Sequence, residues 1–171
     1  HLQDLIHTTS SRRSKFYTSM DFKSSFFQCR LAPGQSRDLF TFTDPVTGIP
    51  HSMFVTPFGY INSGTHLSQA LAQVMKGLAH DGSIALYVDD CLINSSTLVE
   101  HCQSLRNVLT RFRDYNVKVG RSKSSFAYPS CEFLGVQISP SGHKPLPRFA
   151  DKLCSKYTKI GNAKAAQRFL A

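Results

Sequence analysis

Two adjacent aspartates near the middle of the chain are the residues best suited to chemistry. Asp89 and Asp90 end the segment Tyr87–Asp90, which lies between the apolar runs 84–86 and 91–93. Two β-prone runs around a short polar tip predict a β-hairpin with both carboxylates at its turn. Unit charges about 4 Å apart repel by about 4 kcal/mol at an effective dielectric of about 20, and no Lys or Arg lies within ten residues of the tip. A divalent cation relieves such repulsion, whereas an Asp-Asp turn in water is the ordinary alternative.

A third carboxylate, Asp21, follows a second strand-like segment. Phe16, Thr18 and Met20 recur at the spacing of one strand face, and residues 22–28 fit one short helical turn. A strand that ends at Asp21 can bring its carboxylate to the same sheet edge as the Asp-Asp pair. Oxygen ligands of this kind suit Mg²⁺, and two ions about 3.5–4 Å apart promote phosphoryl transfer.

Four motifs follow one another along residues 2–139: Met20–Pro33, Thr56–Ser63, Tyr87–Asp90 and Glu132–Gly135. The first two resemble the first and second catalytic motifs of retroviral and gypsy-class LTR-retrotransposon reverse transcriptases. The third resembles the polymerase box of these enzymes, and the fourth resembles their primer-grip signature. Each motif alone is weak, but four in the right order are specific.

The resemblance implies a role for each carboxylate. Asp21 and Asp89 are expected to be the principal ligands of two Mg²⁺ ions, with Mn²⁺ as an alternative ion. Asp90 is expected to be less directly engaged, and the carbonyl of Phe22 to complete a site. The primer 3′-hydroxyl then attacks the α-phosphate of a dNTP on an RNA or DNA template. Phe26 is expected beneath the sugar, where its ring excludes a 2′-hydroxyl, although core packing is the usual fate of a Phe.

Further residues are expected to contact the nucleotide and the primer. Phe58 and Gly59 are expected near the nucleotide and template. Lys123 is a candidate for protonating the pyrophosphate, with a phosphate contact or simple exposure as alternatives. The primer terminus is expected on a short apolar segment that also suits an ordinary core: Phe133, Leu134 and Gly135.

Charge is divided unequally along the chain. Residues 1–102 contain seven Lys or Arg against eight Asp or Glu, whereas residues 103–171 contain thirteen against three. The C-terminal part therefore has a net charge of +10 in a chain of +9. It is either a solvated surface or, beside a polymerase site, the face that contacts primer–template phosphates in a salt-dependent manner.

Composition limits the class of protein. The 171 residues are enough to bury a core, and no apolar run approaches the roughly 20 residues of a membrane span, so no membrane partner is expected. Five cysteines form no Cys-x-x-Cys pair and indicate reduced, mostly buried thiols in an intracellular protein. The histidines lack ligand spacing and are interpreted as structural or surface residues. The expected location is the cytoplasm, in particles, or the nucleus.

The pattern of elements predicts an α+β polymerase palm with helices on one face of a mixed or antiparallel sheet. Helices are expected at 2–11, at 62–79 and after a cap at Ser96 or Thr97. Strands are expected at 16–21, at 39–43 paired with 53–56, and around Phe126 and residues 133–138. The helix after the cap is expected to face the core with an apolar series: Val99, Cys102, Leu105, Leu109 and Phe112.

Domain organisation follows from the same resemblance. Residues 1–139 are interpreted as the palm with part of the fingers, and residues 140–171 as a linker and the start of the thumb or connection. The chain is interpreted as lacking the N-terminal fingers and the full thumb. Its polymerase activity in isolation is therefore expected to be weak or absent. We expect a longer polyprotein with protease, RNase H and integrase domains. The alternatives are a non-LTR or intron-type reverse transcriptase, an RNA-templated RNA polymerase, or an inactive remnant that at most binds nucleic acid.

Overall fold

A four-stranded antiparallel sheet forms the centre of the fold. The computed structural model describes residues 2–78, 82–148 and 151. The strands of this sheet are β1 (Phe16–Asp21), β4 (Ile84–Tyr87), β5 (Asp90–Ser95) and β6 (Ser125–Tyr128), and they lie in the order β4-β5-β1-β6. Strands β1 and β5 pair along their whole length, from Phe16 opposite Ser95 to Asp21 opposite Asp90.

Helices cover one face of this sheet. Helices α3 (Ser63–Val74) and α4 (Leu98–Asp114) pack on side chains that alternate along β1 and β5. Met20, Cys91 and Ile93 point into this core, together with Phe112 from α4. The predicted α+β palm with helices on one face is therefore confirmed.

A smaller sheet covers the opposite face. It consists of β7 (Cys131–Phe133), β8 (Val136–Ser139) and β9 (Gly142–Pro145), and it packs on Tyr17 and Leu92. Helix α1 (Leu2–Ser11) contacts β9, where Ser10 Oγ lies 2.9 Å from Nδ1 of His143. The two faces of the central sheet are thus both buried.

The prediction of a linker from residue 140 was wrong for residues 142–145. Pro140, Ser141 and Gly142 have the composition of a linker, but they form a tight turn after which β9 pairs with β8. The small sheet therefore crosses the predicted boundary at residue 139. Most of the predicted start of the thumb, from residue 152 onwards, lies outside the described residues.

The hairpin of β2 (Thr41–Thr43) and β3 (Pro50–Ser52) stands apart from the main sheets, after the short helix α2 (Gln35–Asp38). The second strand was predicted too late, at 53–56. Asp44 closes a short turn by accepting hydrogen bonds from Val46 N–H and the Thr47 hydroxyl, so pairing resumes immediately after the turn.

Helix α4 begins where it was predicted but turns a different face to the core. Thr97 and Glu100 form a capping box. Val99, Cys102 and Leu109 were predicted to be buried and are exposed. Phe112 is buried as predicted and Leu105 is partly buried, whereas the other buried residues of α4, His101 and Val108, were not predicted.

Two further observations concern the described residues as a whole. Cys29, Cys91, Cys102 and Cys131 are all free thiols, of which Cys91 and Cys131 are buried. No helix in ranges 2–78, 82–148 and 151 is long and apolar enough to cross a membrane.

We expect stability to depend on the protonation of His101. Its side chain is fully buried, and Nε2 lies 2.7 Å from Thr18 Oγ1; burial lowers its pKa below the ordinary 6.5. The unfolded chain takes up a proton below about pH 6.5 while the folded chain still excludes it. The contribution of neutral His101 to stability should therefore be complete above this pH. At lower pH the free energy of unfolding should decrease by at most about 1.4 kcal/mol per pH unit, until the pH reaches the pKa of His101 in the folded chain.

Urea unfolding at pH 7.5 and 5.5 measures this effect. His101→Gln should reduce the difference between the free energies of unfolding at the two pH values. His51 is exposed on β3, so His51→Gln should preserve this difference. An equal pH dependence in His101→Gln and the unmodified chain would rule out His101 as its source.

Candidate active site

Strand pairing brings the three predicted carboxylates to one edge of the central sheet. Asp21 ends β1 and pairs with Asp90, which begins β5. The next residue, Phe22, donates its N–H to the carbonyl oxygen of Asp89 at 3.0 Å and packs its ring on Phe112 at 5.3 Å between centroids. The three aspartates thus lie at the solvent-facing edge of the buried central sheet.

A strained turn holds Asp89. Tyr87 pairs with Asp90, so Val88 and Asp89 form a two-residue hairpin loop. Such loops favour positive φ at the first position, which usually suits Gly or Asn. Val88 adopts φ +52°, a conformation that costs a β-branched residue about 1–3 kcal/mol.

A segment of the chain far from Asp21 in sequence lies directly against it. Gly120 N–H donates to the Asp21 carbonyl oxygen at 2.7 Å, and Val119 forms a bridge with Phe22. A Cβ on Gly120 would lie 3.2 Å from Asp21 Oδ2, so this close approach favours glycine. Lys123 Nζ lies 3.8 Å from the same Oδ2, with 72% of its side chain exposed.

Negative charge is crowded at this edge. The pKa of Asp90 is raised, first by burial and then by the charges of Asp89 and Asp21, while Lys123 partly opposes the shift. Burial and the two neighbouring carboxylates therefore disfavour the ionised form of Asp90, and a bound cation would relieve the repulsion at this edge.

A cleft of about 940 Å³ opens at the acids. Asp21 and Asp89 line it, whereas Asp90 does not. Three cationic residues also line the cleft. Lys123 was predicted from the sequence, whereas Lys23 and Arg121 were not. The remaining lining residues are Phe22, Ser24, Ser25, Phe58, Val119, Gly120 and Ser122.

Phe26 lies behind the cleft wall. It is partly buried against the core between the central sheet and helices α3 and α4. Its ring contacts Phe58 edge-on at 5.5 Å between centroids. Phe58 itself lines the cleft and is 61% exposed. Gly59 follows at φ +83° and turns the chain away.

The segment that resembles the primer grip forms a tight turn. Phe133 pairs with Val136, and its side chain is buried beside Tyr17 and Ile138. Leu134 at φ +50° and Gly135 at φ +81° form the loop between β7 and β8. Phe133 is thus a core residue, and Leu134 and Gly135 are the part of the segment that reaches the surface.

The donor atoms at the sheet edge suit Mg²⁺. Within the described ranges, no three His, Cys, Asp or Glu side chains form a metal-binding group, so the predicted convergence of three carboxylates into one group is not found there. Mg²⁺ is commonly held by one or two carboxylates and takes its other ligands from water and phosphate. Asp21 and Asp89 provide two carboxylates of this kind in the cleft. The ammonium group of Lys123, which lies beside Asp21, shows that this carboxylate accepts a cation as a neighbour.

Comparison with known proteins assigns this fold and site to a family. Residues 2–138 match the profile of the family described as reverse transcriptase (RNA-dependent DNA polymerase). The chain belongs to the reverse transcriptase family. A putative enzymatic polyprotein of cassava vein mosaic virus is 30% identical over 97% of this chain and 24% of the relative. The retrovirus-related Pol polyprotein from transposon gypsy of Drosophila melanogaster is 32% identical over 79% of this chain and 13% of the relative.

A solved structure shows the same fold. The foamy viral protease-reverse transcriptase in complex with double-stranded DNA superposes with a TM-score of 0.83 at 24% identity, over 99% of this chain and 28% of that chain. The predicted resemblance to LTR-retrotransposon and retroviral reverse transcriptases is confirmed. The chain spans about a quarter or less of the length of the viral and gypsy polyproteins described above.

Proposed function

We propose that this chain is the palm of an RNA-directed DNA polymerase encoded in an LTR-retrotransposon polyprotein. It transfers dNMP from a dNTP to a primer 3′-hydroxyl, copying an RNA or DNA template. The observation that carries the proposal is the pairing of Asp21 with Asp90, which places Asp21 and Asp89 in one cleft with three cationic side chains.

Different side chains of the cleft have different roles in nucleotidyl transfer. Asp21 and Asp89 would hold divalent ions, which supply Lewis-acid stabilisation of phosphate charge when bound. Lys23 and Arg121 attract the triphosphate by charge. The oxygen of the primer 3′-hydroxyl forms a bond to the α-phosphorus, and its proton passes to solvent, as the bond to pyrophosphate breaks. Lys123 Nζ donates a proton to the leaving pyrophosphate.

The remaining predicted residues would orient substrate and primer. Phe58 meets the nucleotide at the cleft wall, with Gly59 providing the turn behind it and Phe26 supporting its ring. Leu134 and Gly135 would contact the primer terminus. The cationic residues of 103–171 would bind backbone phosphates, and further polyprotein domains would act on the same nucleic acid.

Template-primed dNTP incorporation tests the proposal. The 171-residue chain and the same chain within its flanking polyprotein sequence are each given primed RNA and primed DNA. We expect product that follows the template, requires all four dNTPs, disappears with EDTA and returns with Mg²⁺, and is greatest in the extended chain. Salt-sensitive binding without any incorporation by the extended chain would instead indicate a nucleic-acid-binding remnant.

A further inference from the structure

A single glutamine side chain joins two segments that are distant in sequence. Gln28 ends a 3₁₀ turn, Ser25–Gln28. Its Nε2 donates to the carbonyl oxygens of Lys23 at 2.6 Å and Lys118 at 2.9 Å, and its Oε1 accepts from Lys118 N–H at 2.7 Å. The side-chain amide therefore pairs with both main-chain polar groups of Lys118, as a neighbouring β-strand would.

The joined segments form two walls of the cleft. Lys23, Ser24 and Ser25 line one side, and the run from Val119 to Lys123 lines the other. Lys23 N–H also donates to Lys118 O at 3.0 Å. Gln28 adds three hydrogen bonds to this one, so its amide fixes the separation of the walls at the point where they meet.

The carboxylates are held by other bonds. Asp21 is placed by strand pairing with Asp90 along β1 and β5, in addition to its bond with Gly120 on the wall itself. Asp89 is placed by its hairpin and by Phe22 N–H. Loss of the Gln28 amide therefore moves the cationic wall of Arg121 and Lys123 more than it moves the acids.

We propose that Gln28 is a positioning residue that sets the width of the cleft and thereby its affinity for the nucleoside triphosphate. This inference rests on the proposed polymerase function. Because Gln28 acts on the wall that meets the phosphates and not on the acids, its loss should weaken substrate binding more than it slows bond formation.

Steady-state incorporation by the chain within its flanking sequence tests this division. In Gln28→Ala we expect the KM for dNTP to rise about tenfold, with kcat within about threefold and the KM for primer–template unchanged. Gln28→Glu keeps the size and the acceptor but removes both donors, so it should raise the KM for dNTP as well. Gln103→Ala removes an exposed glutamine that bonds Asn107 on α4, and this control should match the unmodified protein.

Hydrogen exchange at the Lys118 amide provides a readout that does not need activity. Gln28→Ala should speed this exchange, while the Phe22 amide, which donates to the Asp89 carbonyl oxygen, exchanges at an unchanged rate. An unmodified protein that incorporates dNTP while Gln28→Ala or Gln28→Glu leaves the KM unchanged overturns the role of Gln28 alone. Absence of incorporation by the unmodified protein overturns the proposed function. If Lys118 exchange is also equal in Gln28→Ala and the unmodified protein, the positioning role of Gln28 is overturned as well.

Discussion

Replacing Asp89 with Asn should reduce templated dNTP incorporation by about a thousandfold while leaving the fold intact. The change keeps the shape of the side chain but removes one negative charge from the cleft, where about 4 kcal/mol of transition-state stabilisation corresponds to that factor. Asp21→Asn should have a similar effect. Asp90→Asn should cost less activity, because Asp90 does not line the cleft, and should raise stability, because its charged form is disfavoured in the fold.

Single-nucleotide incorporation rates and thermal unfolding of each variant measure these effects. Asp44→Asn is a matched control for activity, because Asp44 lies in the turn between β2 and β3 and does not line the cleft. Asn keeps an acceptor for Val46 N–H but loses the second oxygen to which the Thr47 hydroxyl donates, so this variant controls for the rate and not for thermal stability. More than a tenth of the original rate in a folded Asp89→Asn variant would contradict a catalytic role for this residue.

Phe26→Val should raise the ratio of ribonucleotide to deoxynucleotide incorporation by at least about tenfold. Phe26 supports the edge of the Phe58 ring, so a smaller side chain lets that ring withdraw and leaves room for a 2′-hydroxyl. Competition between each rNTP and its dNTP in the extended chain measures the ratio.

Phe42→Val is the control for this experiment. Phe42 stacks on His51 in the β2–β3 hairpin, at 5.7 Å between centroids, and is 56% exposed. Its replacement should leave discrimination unchanged. If Phe26→Val folds and discriminates as before, Phe26 serves core packing only.

Elements governed by local signals were predictable from sequence. Strand β1 forms over the residues where the spacing of Phe16, Thr18 and Met20 predicted it, and the cap of α4 depends on Thr97 and Glu100, which are three residues apart. The positions of Asp21 and Asp90 followed from the strand that each residue ends or begins. Such features need only short-range geometry.

Features governed by distant contacts were not predictable. The buried face of α4 includes His101, because Thr18, far away in sequence, supplies a hydrogen-bond partner in the core; the apolar pattern alone favoured the exposed Val99 and Cys102. Likewise, Arg121 joins the cleft because Gly120 bonds the main chain of Asp21. A single sequence contains no signal for contacts of this kind.

The left-handed conformation of Val88 lowers the stability of the turn that carries Asp89. A left-handed valine is less stable there than a glycine. Replacing Val88 with Gly would relieve this strain without changing either aspartate, because Val88 and Asp89 form the loop while Tyr87 and Asp90 keep the pairing of β4 with β5. The turn beside the acids is therefore a place where this fold can be made more stable without altering the carboxylates of the cleft.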